Sequence, residues 1–183
     1  MREDSRSKLL TFVSHCILNQ NSVVKGRAVA KGVLKEIIEV FIELGIGIIQ
    51  LPCPETGYIG LKRFWHTREQ YDNIGFREYC HRLAEEAADL ALEYERNGYR
   101  ILAIVGIKRS PSCGVRETTL GWRGGDPRKA GEYRRVKGTG VFMEIIREVF
   151  ERQGLKPVMI DIDVSHLNES AIELRSVLSK LTR

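Results

Sequence analysis

Hydrophobic positions along this chain fall into two alternating patterns. Four short stretches, residues 8–14 (KLLTFVS), 46–51 (IGIIQL), 101–107 (ILAIVGI) and 157–164 (PVMIDIDV), are nearly continuous apolar runs. The run at 101–107, rich in β-branched residues, predicts a strand buried on both faces of a parallel sheet; 8–14 predicts a first buried strand, and 46–51 and 157–164 predict two more strands. Four longer stretches repeat their apolar residues every three or four positions, which predicts amphipathic helices over 33–44, 76–97, 141–153 and 169–181. Gly45 and Gly98 follow two of these helices and suit the left-handed residue that ends a helix. Two segments fit neither pattern. Residues 56–73 form a long connection containing Arg63, Trp65 and His66, and residues 115–140 form a glycine-rich, basic insertion. Thr139 is a candidate cap for the helix that follows the insertion.

Strands and helices therefore alternate, with the insertion before the third helix. That order predicts an α/β fold, Rossmann-like, with a mainly parallel sheet flanked by helices. At 183 residues the simplest organisation is one domain over 1–183.

The strand ends carry the chemistry. Cys16 and Cys53 each fall two residues past a predicted strand, and Cys113 lies six residues past one, in the turn that follows it. Parallel strands present their carboxyl ends at one edge, where open α/β sheets bind ligands, so the three thiols can converge. Pro52 and Pro54 flank Cys53 and argue against a helix there, while Ser110-Pro111 and Gly114 shape a turn around Cys113. Cys80 lies inside a predicted helix and reads as a core residue. Three thiolates without a fourth suit either zinc with an open position or an iron–sulfur centre. His15 and His66 lie in the same loops and are further candidates.

Composition narrows the setting. The chain is 43% hydrophobic and 29% charged, and no apolar run approaches the ~20 residues that span a bilayer. The charged beginning MREDSRSK lacks the apolar core of a signal peptide, which predicts a cytoplasmic protein. There, cysteines serve as ligands or nucleophiles more often than as disulfides. The net charge of +5 is concentrated in Arg123, Arg128, Lys129, Arg134, Arg135 and Lys137. A basic cluster of this kind is either a solvated loop or a contact for RNA.

Three motifs carry a resemblance. Ser14-His15-Cys16-Ile17-Leu18, then Pro52-Cys53-Pro54-Glu55 with Gly60-Leu61, then Lys108-Arg109-Ser110-Pro111-Ser112-Cys113-Gly114 resemble those of the thiouracil desulfidase family in order and spacing. The resemblance covers roughly residues 8 to 115. It implies an α/β domain in which Cys16, Cys53 and Cys113 hold a [4Fe–4S] cluster. The implied reaction replaces C=S by C=O in a small thiolated pyrimidine or similar thioamide, releasing sulfide without net redox change. Glu55 would move the proton and Ser110 would orient the substrate, roles that the chemistry also asks for. Asn19, Arg63, Trp65 and Lys108 are the candidates for contacting substrate. The segments 19–24 and 62–65 depart from the family's usual sequence, so the ligand set carries over further than the pocket walls. Two other classes fit the same residues: a sulfur or cluster carrier without catalysis, and a zinc module that touches RNA.

Overall fold

A computed structural model describes residues 4–126, 128 and 132–183. Four strands, β1 (Leu9–Val13), β2 (Gly47–Gln50), β3 (Arg100–Ile107) and β6 (Val158–Ile162), form a wholly parallel sheet ordered β2-β1-β3-β6. Two more, β4 (Glu117–Leu120) and β5 (Arg134–Lys137), pair antiparallel as a hairpin within the basic insertion. Pro127, Lys129, Ala130 and Gly131 of that insertion lie outside the described residues. The helices are α1 (His15–Leu18), α2 (Lys35–Glu43), α3 (Pro54–Tyr58), α4 (Arg68–Tyr71), α5 (Ile74–Arg96), α6 (Val141–Arg152) and α7 (Leu167–Leu181).

The near-continuous strand runs are explained by helices on both sheet faces. Successive side chains of a strand point to opposite faces. Phe12 and Ile104 accordingly pack with Phe76, Leu83, Phe142 and Phe150 of α5 and α6. Val13, Ala103 and Val105 pack with Ile37, Phe41, Leu174 and Leu178 of α2 and α7. Each such buried side chain contributes about 1.5–3 kcal/mol. The pairing of β1 with β3 shifts by one residue between Leu10 and Thr11, passing over Leu102.

All four predicted strands and all four long helices form, and Gly45 and Gly98 stop α2 and α5 with φ of 63° and 79°. Three local expectations are corrected. Pro54 begins α3 rather than excluding a helix, because it takes a first-turn position whose N–H has no intrahelical partner to lose. Thr139 does not cap α6; its hydroxyl donates to Val115 O at 3.0 Å, and Gly140 occupies the cap. The 56–73 connection is not irregular throughout, since α3 and α4 lie at its two ends.

Gly140 shows why the α6 start is fixed. An added Cβ would lie 2.5 Å from the Ser112 carbonyl carbon. The helix abuts the Cys113 loop so closely that Val141 N donates to Pro111 O and Phe142 N to Ser112 O, at 3.0 and 2.9 Å. On the far side, Arg68 and Arg77 each bridge Asp72 and Glu144, tying α4 and α5 to α6.

Candidate active site

β2 and β3 lie on opposite sides of β1, so the chain changes direction across the sheet at β1. A crevice opens at the carboxyl ends of strands at such a switch point. Ser14 N bonds Val105 O at 2.9 Å, and the chain then turns into α1, which carries Cys16. β2 leads to Cys53, whose sulfur accepts the Thr56 N–H at 3.4 Å at the start of α3. β3 leads into a turn in which Ser110 Oγ accepts Cys113 N–H at 3.0 Å, and Cys113 O returns to Ile107 N at 2.9 Å. All three sulfur-bearing residues line one cavity of about 630 Å³.

Their electrostatics reflect this gathering. Burial, then the neighbouring Cys113, Cys53 and Glu55, pushes the Cys16 thiol well above its ordinary range. Burial and Cys53 push the Cys113 thiol up to about 12. A cation among these sulfurs would reverse the penalty, since it favours the thiolate. Among the described residues, no three His, Cys, Asp or Glu side chains are grouped to hold a metal ion. Three thiols lining one cavity are a soft donor set that fits either an iron–sulfur cluster or a zinc ion with an open position. Cys80 does not line the cavity and is buried in the α5 core, as its helical position predicted.

Glu55 also lines the cavity, and it is not free. Its Oε2 accepts from Arg63 Nε at 2.9 Å, and its Oε1 accepts from Ser112 Oγ at 2.6 Å. Ser112 Oγ lies 3.5 Å from the Cys113 sulfur, so one hydroxyl touches both the carboxylate and a thiol. Arg63 is almost wholly buried and spends its other nitrogens on Ser22 O, Thr56 Oγ1 and Gly60 O. Its guanidinium therefore braces Glu55 and three loop segments, which leaves little of it for a substrate. Behind the pair stand Tyr71 and His66, neither of which lines the cavity. Burial, then Glu55, raises the Tyr71 phenol far above its ordinary value, and burial lowers the His66 imidazole.

The remaining candidates divide. Ser110, Trp65 and Lys108 line the cavity, Lys108 within salt-bridge distance of Glu117 and Asp163. Asn19 does not line it; its side chain caps the turn Gln20–Ser22 by accepting Asn21 N–H at 3.1 Å. His15 is also outside, held by Asn19 and Gln50. Trp65 is boxed in at the mouth, with Arg27 over its ring at 4.5 Å and Tyr133 packed edge-on at 4.1 Å.

Sequence reading missed Ser112, Arg27 and Tyr133. Ser112 was visible as the residue before Cys113, whereas nothing local marks the other two. The insertion braces the site: Thr118 and Thr119 of β4 donate hydroxyls to Ser110 O and Arg109 O at 3.2 and 2.8 Å. It also supplies Tyr133 and Arg135 to the wall.

Residues 8–132, which include all three cysteines and Glu55, match the family model described as "Putative 2-thiouracil desulfurase". The chain belongs to this family. It is an enzyme of the desulfurase type by that membership. The uncharacterized protein MJ0003 of Methanocaldococcus jannaschii is 41% identical over 110 residues, 60% of this chain and 70% of the relative. In fold, the chain is similar to a [4Fe-4S]-dependent thiouracil desulfidase, TudS, with a TM-score of 0.53 over 92% of this chain and 99% of that one. Identity to that structure is 22%, so the likeness bears on architecture. None of these comparisons supports RNA as a partner. No described helix is long and apolar enough to cross a membrane.

Proposed function

We propose that this desulfurase removes sulfur from a small thiolated pyrimidine by hydrolysis, C=S plus water giving C=O plus hydrogen sulfide. Atoms and electrons balance without an oxidant or reductant. The observation that carries the reading is the meeting of Cys16, Cys53, Cys113 and Glu55 in one cavity, delivered by three separate strand ends. The three thiolates are the residues that would hold a [4Fe–4S] cluster. When bound, such a cluster supplies a thiophilic iron that no cysteine occupies.

The chain's own groups account for the proton. Water attacking the thiocarbonyl carbon must lose protons, and the departing sulfur must gain them. In this reading Glu55 carries both transfers, supported by Ser112 and Arg63, which fix its two oxygens beside the cysteines. Ser110 Oγ accepts Cys113 N–H and makes only a long 3.4 Å contact with Ser112 Oγ, which its proton would exchange for the sulfur of a bound substrate. Trp65 and Tyr133 form an aromatic wall suited to a planar ring.

Anaerobically reconstituted protein should release sulfide from 2-thiouracil or 4-thiouridine. Glu55→Gln should keep its iron and acid-labile sulfide but turn over at least about a hundredfold more slowly. Wild-type turnover in that variant would remove Glu55 from the mechanism. An iron-loaded wild type that releases no sulfide from either compound would favour a carrier instead.

A further inference from the structure

We propose that Asp161, on a strand that carries none of the motif residues, is the positioning residue that sets where Cys113 stands. The inference rests on the reading of Cys113 as part of the active site. Asp161 lies opposite Gly106 in the β3–β6 ladder. By strand alternation it projects to the sheet face that Phe12 and Ile104 otherwise line with hydrocarbon. Its side chain is 0% exposed, and its nearest cation, Arg116 Nε, is 3.8 Å away on a mostly exposed side chain. A carboxylate so buried is costly unless its oxygens are satisfied.

They are satisfied by the Cys113 loop. Oδ1 accepts Val115 N–H and Oδ2 accepts Arg116 N–H, each at 2.7 Å. Charge-assisted bonds of this length are the strong class. The strand opposite completes the grip. Gly106 has no side chain, and a Cβ there would lie 2.3 Å from Cys113 O and 2.9 Å from Val115 Cγ2. The loop therefore lies flat on β3, its Cys113 carbonyl bonded to Ile107 N and its next amides bonded to Asp161. Two neighbouring strands thus hold backbone groups on the carboxyl side of the cysteine. Ser110 Oγ holds the Cys113 N–H on the other side. The sheet itself asks nothing of Asp161, since its ladder bonds come from the backbone, so its carboxylate serves the loop.

Asp161→Asn tests this while keeping size and one acceptor oxygen. The amide NH₂ then opposes one backbone N–H, which loses its partner. In iron-free protein, exchange at Val115 or Arg116 should quicken by about tenfold or more, with the amides of β1 and the rest of β3 unchanged. Alkylation of Cys113, mapped by mass spectrometry, should quicken as well, with Cys16 and Cys53 at their wild-type rates. After reconstitution, iron per chain should fall. Unchanged exchange at both amides would overturn the proposal. So would uniform acceleration across the sheet, which signals a general loss of stability. Should the variant not fold, the wild type still decides: Val115 and Arg116 must exchange as slowly as the core of β3, and fast exchange refutes the grip. Exchange and alkylation involve neither iron nor thio-substrate, so failure of the desulfurase reading would leave these results standing.

Discussion

Replacing Arg63 by Met separates a scaffold role from a substrate-binding one. The arginine side chain is 3% exposed and its partner Glu55 is 12% exposed. Met fills much of the same volume but removes the ion pair at 2.9 Å and the bond to Ser22 O at 2.8 Å. The contacts with Thr56 Oγ1 and Gly60 O, at 3.2 and 3.3 Å, go too. Removing one partner of a buried pair leaves a stranded charge, and the expected loss is about 3–5 kcal/mol. That is a large part of a typical stability of about 5–15 kcal/mol. In a chain of this size it lowers Tm by roughly 6–20 °C. Calorimetry or far-ultraviolet circular dichroism on iron-free protein reads the shift directly. Adding Glu55→Gln removes the stranded charge, so the double variant should recover part of the loss, a coupling of about 2 kcal/mol or more. A loss under about 1 kcal/mol together with a raised KM would refute the reasoning. It would return Arg63 to the substrate.

Cys16→Ser, Cys53→Ser and Cys113→Ser should each lose nearly all iron and acid-labile sulfide after anaerobic reconstitution, while Cys80→Ala keeps both; equal loss in all four would break the ligand assignment. Trp65→Ala opens the mouth beside Arg27 and Tyr133, so KM should rise by about tenfold with kcat within about threefold, because the change affects binding more than chemistry. Acid stability should track Asp72. Burial works to raise its carboxyl, but bonds and attraction from Arg77 and Arg68 outweigh it and hold it below the ordinary 3.8. A depressed folded pKa means that the stabilisation is present above about 4 and is lost as pH falls through the folded value. Unfolding temperatures measured from pH 6 down to 2.5 should fall at the acid end, and Asp72→Asn should flatten that fall.

Much of this protein is written locally. Buried strands flanked by helices need long apolar runs, and amphipathic helices need a three-to-four-residue repeat, so both kinds of element were visible at residues 101–107 and 141–153. The strand-end placement of Cys16, Cys53 and Cys113 was equally visible, because a parallel sheet sends every carboxyl end to one edge whatever the strand order. The motifs around those cysteines also carried the family. Pairwise partners were not visible. Arg63 looks like any loop arginine until the fold encloses it against Glu55 and Ser22, eight and forty-one residues away. Asn19 turns back on its own turn, a choice made by the backbone at Gln20–Ser22 rather than by composition. Arg27 and Tyr133 meet Trp65 only because three separate connections converge at the mouth. Asp161 gives no local hint, for its role depends on the β3–β6 register that sets it beside Gly106. Periodicity reports how a residue faces its own element, and hydrogen-bond partners across forty or more residues depend on how the elements are stacked.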